Sequence, residues 1–374
     1  MRDVPKALEQ LMIDMVKARG SDLLLHAHSA PWFRVDGELI EQKERGVLEP
    51  DAVRQMCYEI LTDRQIKTFE EEMELDTAHI IEGVSRFRVN MFRQRGSMGA
   101  AFRCIPFEVP TIEQVGLPVK IGHYFAERPR GFVLVTGPTG CGKSTTLAAL
   151  VNHVNATSPN HIMTIEDPIE YIHEDKVALV NQRELGVDTY SFQAALKHVL
   201  RQDPDVILVG EMRDLETMQL AITAAETGHL VFATLHTTNA VQTVDRIIDV
   251  FPPYQQQQVR MQLSVNLVGV ISQTLLRRAE GKGRIAAWEI MLCIWSIRNL
   301  IREAKSYQIQ GSIQTGIKHG MMTLDMCLAN YVKRGVVTEE DALLKSSDPE
   351  EFKRLLHGDE EEGAASTPNR KQGR

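Results

Sequence analysis

Apolar residues Leu8, Leu11, Met12, Met15 and Val16 recur at helical spacing and predict a first helix that ends near Gly20. The period then shortens, and runs 22–26, 32–35 and 38–40 read as short strands. Pro50-Asp51 opens a second helix with Val53, Met56, Cys57, Ile60 and Leu61 on one face. Residues 76–80 and 86–92 read as strands, the latter alternating charged and apolar, and 99–105 suits it as a hairpin partner. Residues 1–107 therefore predict a small α+β domain built on an antiparallel sheet. Pro106, Pro110 and Pro118 punctuate a stretch of little periodicity, and 108–117 reads as a linker.

Beyond it the pattern changes. Apolar, β-branched runs at 132–136, 162–166, 206–210 and 230–235 alternate with helical patterns centred on 144–155, 191–201 and 214–227. That alternation predicts a mostly parallel sheet covered by helices, so the fold class is α/β. The rest reads as mostly helical, with 255–276, 295–304 and 321–334 as examples, and 118–357 is taken as one domain. The tail 358–374 has few apolar residues and is expected to be disordered. No internal repeat is visible.

The length of 374 residues agrees with two domains, and 43% apolar content is ample for a core. A net charge of −8 argues against a chain that coats nucleic acid, so no direct nucleic-acid partner is expected. It also disfavours a nucleic-acid translocase, for which no aromatic-basic strip stands out. The five cysteines lie far apart without a C-x-x-C pair, which suggests neither a zinc site nor a disulfide framework. Neither a signal peptide nor a run of about 18 apolar residues is found, so the protein is expected to be cytoplasmic with no transmembrane segment.

Gly137-Pro138-Thr139-Gly140-Cys141-Gly142-Lys143-Ser144-Thr145 fits G-x-x-x-x-G-K-[ST], between a strand-like and a helix-like run. Glycines there let backbone N–H groups converge on a phosphate, and a helix N-terminus adds partial positive charge. Lys143 is suited to the β- and γ-phosphates and Ser144 to Mg²⁺. Cys141, set in such a loop, is expected to be exposed and oxidisable, which fits a reducing compartment.

Three strand ends add candidates. Ile165-Glu166-Asp167-Pro168-Ile169-Glu170 clusters carboxylates, of which Glu166 is placed to orient or deprotonate a water. Val206–Gly210 is an apolar strand followed by Glu211, placed for a Mg²⁺ shell, although no Asp stands at the usual place. His236 follows the strand-like 230–235 at the end where open α/β sheets bind ligands; it reads equally as a γ-phosphate contact or a structural hydrogen-bonding group. His229, at the other end, reads as structural. Arg88 and Arg103 on adjacent strands read, from composition alone, as a solvated face; their guanidiniums also suit a phosphate oxygen supplied in trans.

Taken together these boxes resemble the secretion and type IV pilus ATPases of the additional-strand RecA-like class. The phosphate loop, the acidic box from Ile165 to Tyr171, Gly210-Glu211 and the histidine box Gly228-His229-Leu230 to Leu235-His236-Thr237 occur in that family's order. Ser296-Ile297-Arg298-Asn299-Leu300-Ile301-Arg302-Glu303 is similar to the retraction subfamily's Ala-Ile-Arg-Asn-Leu-Ile-Arg-Glu, and Gly20-Ser21-Asp22-Leu23 and Arg86-Phe87-Arg88-Val89-Asn90 also match. The resemblance implies a PAS-like N-terminal domain joined to a RecA-like motor domain with a helical C-terminal part. It implies a homohexamer with ATP and Mg²⁺ between subunits, Glu166 catalytic, Glu211 at the metal, His236 at the γ-phosphate, and Arg88 and Arg103 reaching the neighbour's phosphate. The implied function is pilus retraction and twitching motility against an inner-membrane platform protein, with the motor peripheral at the inner-membrane base of the machine. Two departures are Cys141 in place of the usual Ser and Trp295-Ser296 in place of Pro-Ala. Pilus-assembly and type II secretion ATPases usually carry a longer N-terminal part and a four-cysteine zinc module, neither seen here; an accessory retraction ATPase is a further alternative.

Overall fold

The helical stripe at the start of the chain becomes α1 (Ala7–Lys17), which buries Leu8, Leu11, Met12 and Met15. In this computed structural model residues 7–35, 37–105 and 108–364 are described, with side chains to residue 358. The chain divides into two compact units, Met1–Glu108 and Val109–Arg374.

In the first unit β1 (Gly20–His26), β2 (Trp32–Val35) and β3 (Glu38–Glu41) precede α2 (Pro50–Tyr58) and α3 (Asp63–Glu72). Then come β4 (Glu74–Ile81), β5 (Ser85–Gln94) and β6 (Ser97–Ile105). The six strands form one sheet in the order β3-β2-β1-β6-β5-β4, with every neighbouring pair antiparallel. Alternation along β5 sends Phe87, Val89 and Met91 into a core shared with Leu8, Met12, Leu23, Phe69 and Phe102. The hydrophobic pattern did not announce α3. It is a mostly polar helix that buries only Phe69 and begins at a Thr62–Gln65 capping box.

The second unit starts earlier than the linker expectation allows. Thr111 caps α4 (Ile112–Val115), and Ile112 and Leu117 are buried in this unit's core, so 109–117 is a folded edge of the second unit and not a bare connection. After α5 (Val119–Ala126) the chain enters β7 (Gly131–Thr136), α6 (Lys143–Thr157) and β8 (His161–Glu166). It continues through β9 (Leu179–Glu184), α7 (Phe192–Val199), β10 (Val206–Val209), α8 (Leu215–Glu226), β11 (Leu230–Leu235), α9 (Ala240–Asp249) and α10 (Pro253–Asn266). The last elements are β12 (Leu267–Arg277), β13 (Arg284–Leu292), α11 (Trp295–Arg302), α12 (Ile309–Thr315), α13 (Leu324–Lys333), α14 (Glu339–Leu343) and α15 (Pro349–Ala364).

Seven strands make a mixed sheet in the order β13-β12-β7-β11-β10-β8-β9, parallel throughout except for the β12–β13 pair. β7, β10 and β11 are wholly buried. Each large apolar side chain so removed from water contributes about 1.5–3 kcal/mol. The fold is thus α/β, and its sheet is wider than expected. The helix read over 255–276 stops at Asn266, and β12 continues the same apolar run as a strand beside β7. A strand buried on both faces shows no alternation, so periodicity cannot separate it from a buried helix; Val268, Val270, Ile271 and Thr274 were the β-branched signal. β9 and β13 were likewise not expected.

The tail expectation also needs correction, because α15 runs through 358 to Ala364. Residues 365–374 lie outside the described residues. Among the described residues no helix is long and apolar enough to cross a membrane.

Candidate active site

Four parallel strands end on one edge of the second sheet. Register places Thr136 of β7 beside Leu235 of β11, Ala233 beside Val209 of β10, and Val209 beside Ile165 of β8. The phosphate loop, Glu166, Glu211 and His236 therefore leave the sheet along one line, the edge at which open α/β sheets bind ligands.

Between β7 and α6 the loop turns on Gly137, Gly140 and Gly142, with φ of 142°, 77° and 91°. These values disfavour any residue with a Cβ. At Gly137 a Cβ would also stand 2.3 Å from the Gln273 carbonyl oxygen. Pro138, Thr139 and Gly140 are exposed at the mouth of the loop. Lys143 opens α6, and its Nζ donates to the Gly137 and Pro138 carbonyls at 2.9 and 3.3 Å. Ser144 is half-buried beside it, and Thr145 Oγ1 lies 3.1 Å from the Tyr171 hydroxyl. Cys141 is not the exposed thiol expected: it is buried to 3% exposure, and burial pushes its thiol pKa up. Its carbonyl is the part in use, accepting from Gln273 Nε2 at 2.7 Å.

Gln273 is the residue missed by reading β12 as a helix. Buried on that strand, it donates to the Cys141 carbonyl and accepts from Thr146 Oγ1 at 2.8 Å, so one amide braces both ends of the loop's turn into α6. Alongside, Thr136 Oγ1 and Ser272 Oγ are paired at 2.8 Å.

Glu166 is half-buried at the end of β8. Thr164 Oγ1 donates to its Oε1 at 2.7 Å and Gln182 Nε2, from β9, at 3.2 Å. Burial pushes the carboxyl up to about 7; the bonds from Thr164 and Gln182 oppose that shift, and the charge of Glu170 adds to it. A carboxyl poised there can exchange a proton near neutrality.

Glu211 accepts from Arg213 at 2.5 Å and lies 3.5 Å from His236 Nε2, so the structure joins two of the proposed groups directly. His236 is exposed; His229, at the start of β11, has its ring Nδ1 2.8 Å from the Ala224 carbonyl. Beyond His236, Asn239 caps α9 while buried Glu289 of β13 accepts the Ala240 N–H at 2.7 Å.

Arg88 and Arg103 belong to the first unit. They face each other across β5 and β6, both exposed. Like charges so placed repel. Asp22 of β1 relieves this, accepting from Arg103 Nε at 2.8 Å. In the segment 296–303, Ile297 and Ile301 are buried, while Arg298 Nε donates to the Cys293 carbonyl at 2.8 Å and Trp295 projects outward.

Residues 3–361 match the family model described as Type II/IV secretion system protein. The type IV pilus retractation ATPase PilT of Pseudomonas aeruginosa is 51% identical over 345 residues, 92% of this chain and 99% of that protein. The twitching motility protein of Neisseria gonorrhoeae is 48% identical over 324 residues, 87% of this chain and 86% of that protein. A crystal structure of the pilus retraction motor PilT with bound ADP aligns with a TM-score of 0.87 at 45% identity, covering 94% of this chain and 100% of that one.

Proposed function

This chain belongs to the type II/IV secretion system protein family, and on that premise we propose that it is an ATPase motor that powers type IV pilus retraction and twitching motility. The observation that carries retraction is the likeness to the Pseudomonas retraction ATPase along nearly the full length of both chains. The first unit is read as PAS-like and the second as RecA-like, with ATP taken at the loop from Gly137 to Thr145.

The loop fits a triphosphate. Its glycines hold positive φ, its mouth is exposed, and Lys143 rests on backbone carbonyls with no ion pair among the described residues. Backbone N–H groups and the start of α6 favour the phosphates, and Lys143 neutralises their charge. Ser144 and Glu211 are the groups to hold Mg²⁺, which when bound supplies charge neutralisation on the phosphate oxygens. Glu166 orients the attacking water and takes its proton, a role its near-neutral pKa supports. His236 is read as the contact that senses the terminal phosphate, a reading its 3.5 Å approach to Glu211 supports. Arg88 and Arg103 serve the site of the adjacent copy in a homohexamer. Hydrolysis favours one arrangement of the units over another, and that change is delivered to a platform protein at the cytoplasmic face of the inner membrane.

Replacing Glu166 by Gln keeps size and hydrogen bonding but removes the base. Glu166→Gln is expected to bind ATP as the wild type does and to lose at least about a hundredfold in turnover; wild-type turnover would remove Glu166 from its role. A strain lacking the gene should keep excess pili and lose twitching. Bald cells would assign the chain to assembly.

A further inference from the structure

The helix that starts with Lys143 carries a second cluster near its other end. His153 lies ten residues further on, about 15 Å along the axis of α6 at 1.5 Å per residue, and so well away from the phosphate loop. Against it stand His123 of α5 and Glu127, the residue that ends α5. Glu127 Oε1 is 3.1 Å from His153 Nε2 and 3.7 Å from His123 Nδ1. The two imidazoles stack with centroids 4.3 Å apart and planes 26° from parallel. One donor atom from each of the three residues falls within 4.8 Å of the others.

Those separations match a metal's coordination shell. Ligands at about 2.0–2.1 Å in a tetrahedron sit about 3.3 Å from one another, and the two measured separations bracket that edge. The ligand set is specific too: two imidazole nitrogens and one carboxylate suit Zn²⁺ and its neighbours, whereas Mg²⁺ and Ca²⁺ prefer oxygen alone. The rings must turn from their stacked arrangement for both nitrogens to face one ion, and His123, whose side chain is 41% exposed, has room to do so.

We propose that His123, Glu127 and His153 form a binding site for a first-row divalent transition metal ion, clamping α5 to α6. An ion there staples the segment that begins the second unit to the helix that carries the phosphate loop. Without an ion, the cluster is a partly exposed ion pair of little energetic worth, and the two cases are separable.

The test uses the full chain, chelator-treated and free of nucleotide, titrated with Co²⁺ by absorption and with Zn²⁺ by calorimetry. One ion per chain is expected, with a melting temperature raised by several degrees. Outer-shell changes alone cost roughly 10–100-fold in metal affinity, so His123→Asn combined with His153→Asn should weaken binding by about a hundredfold or more and abolish the thermal shift. Should that pair of changes unfold the chain, His123→Asn alone serves, with loss of affinity expected and Mg²⁺-dependent ATPase activity retained. Wild type that binds no ion overturns the proposal. So does a variant that binds as tightly as wild type, or a thiolate-to-cobalt charge-transfer band that puts the ion on a cysteine.

Discussion

Glu166 shows how much a single side chain owes to residues that its own surroundings in the sequence do not reveal. An acid after an apolar strand was visible in the chain, as was its place at a ligand-binding edge. Burial does most to raise its pKa, opposed by bonds from Thr164, two residues back on the same strand, and from Gln182, which arrives on β9. With the carboxyl near 7, a base that must be deprotonated works above that pH and fails below it. ATP turnover is therefore expected to rise with pH through a midpoint near 7. Thr164→Val keeps the shape but removes a donor to the ionised form. One such bond is worth about 1.5–3 kcal/mol, so the midpoint should move up by about one to two pH units. A pH–rate profile of kcat/KM checks both, and a shift downward would contradict the assignment. The Glu211–His236 pairing has the same origin: two strand ends 25 positions apart meet because register brings them level.

Among elements, β12 matters most to the site. Its apolar run was legible, but its conformation was not, because a strand covered on both faces carries no period of two. Pairing with β7 decides the matter, and it also places Gln273 under the phosphate loop. Gln273→Leu fills similar space while removing the donor to the Cys141 carbonyl and leaving the Thr146 hydroxyl only the Gly142 carbonyl at 3.3 Å. Loss of these two buried hydrogen bonds should destabilise the second unit by about 1–3 kcal/mol and loosen ATP binding. Chemical denaturation and nucleotide titration measure the two effects. A variant as stable and as tight as wild type would show that the loop stands without this brace.

At the scale of the whole molecule, the role proposed for the first unit rests on one row of charges on its sheet. Arg34, Asp22, Arg103 and Arg88 lie in a row across β2, β1, β6 and β5. One carboxylate serves two of these arginines, which leaves Arg88 exposed with no ion pair among the described residues. A guanidinium in that state is available to a phosphate on another copy. Arg88→Ala should lower ATPase activity of the assembly while sparing nucleotide binding. Mixing Arg88→Ala with Lys143→Ala chains should restore part of the activity, since some seams would then join an intact loop to an intact arginine. Absence of rescue at every mixing ratio would mean that the arginine does not act between copies.

Local chemistry was enough for the sequence to specify the phosphate loop, the antiparallel first sheet and the strand ends bearing Glu166, Glu211 and His236. Glycine conformations, alternation and strand–turn–helix order are all short-range properties. Only the folded chain settled that β12 and β13 widen the second sheet, that Cys141 is buried, and that Gln273 and Gln182 reach the site. The same holds for His123, Glu127 and His153. Each of these depends on which residues, remote along the chain, come to lie side by side. Hydrophobic period does not encode that information, and packing of the second core does.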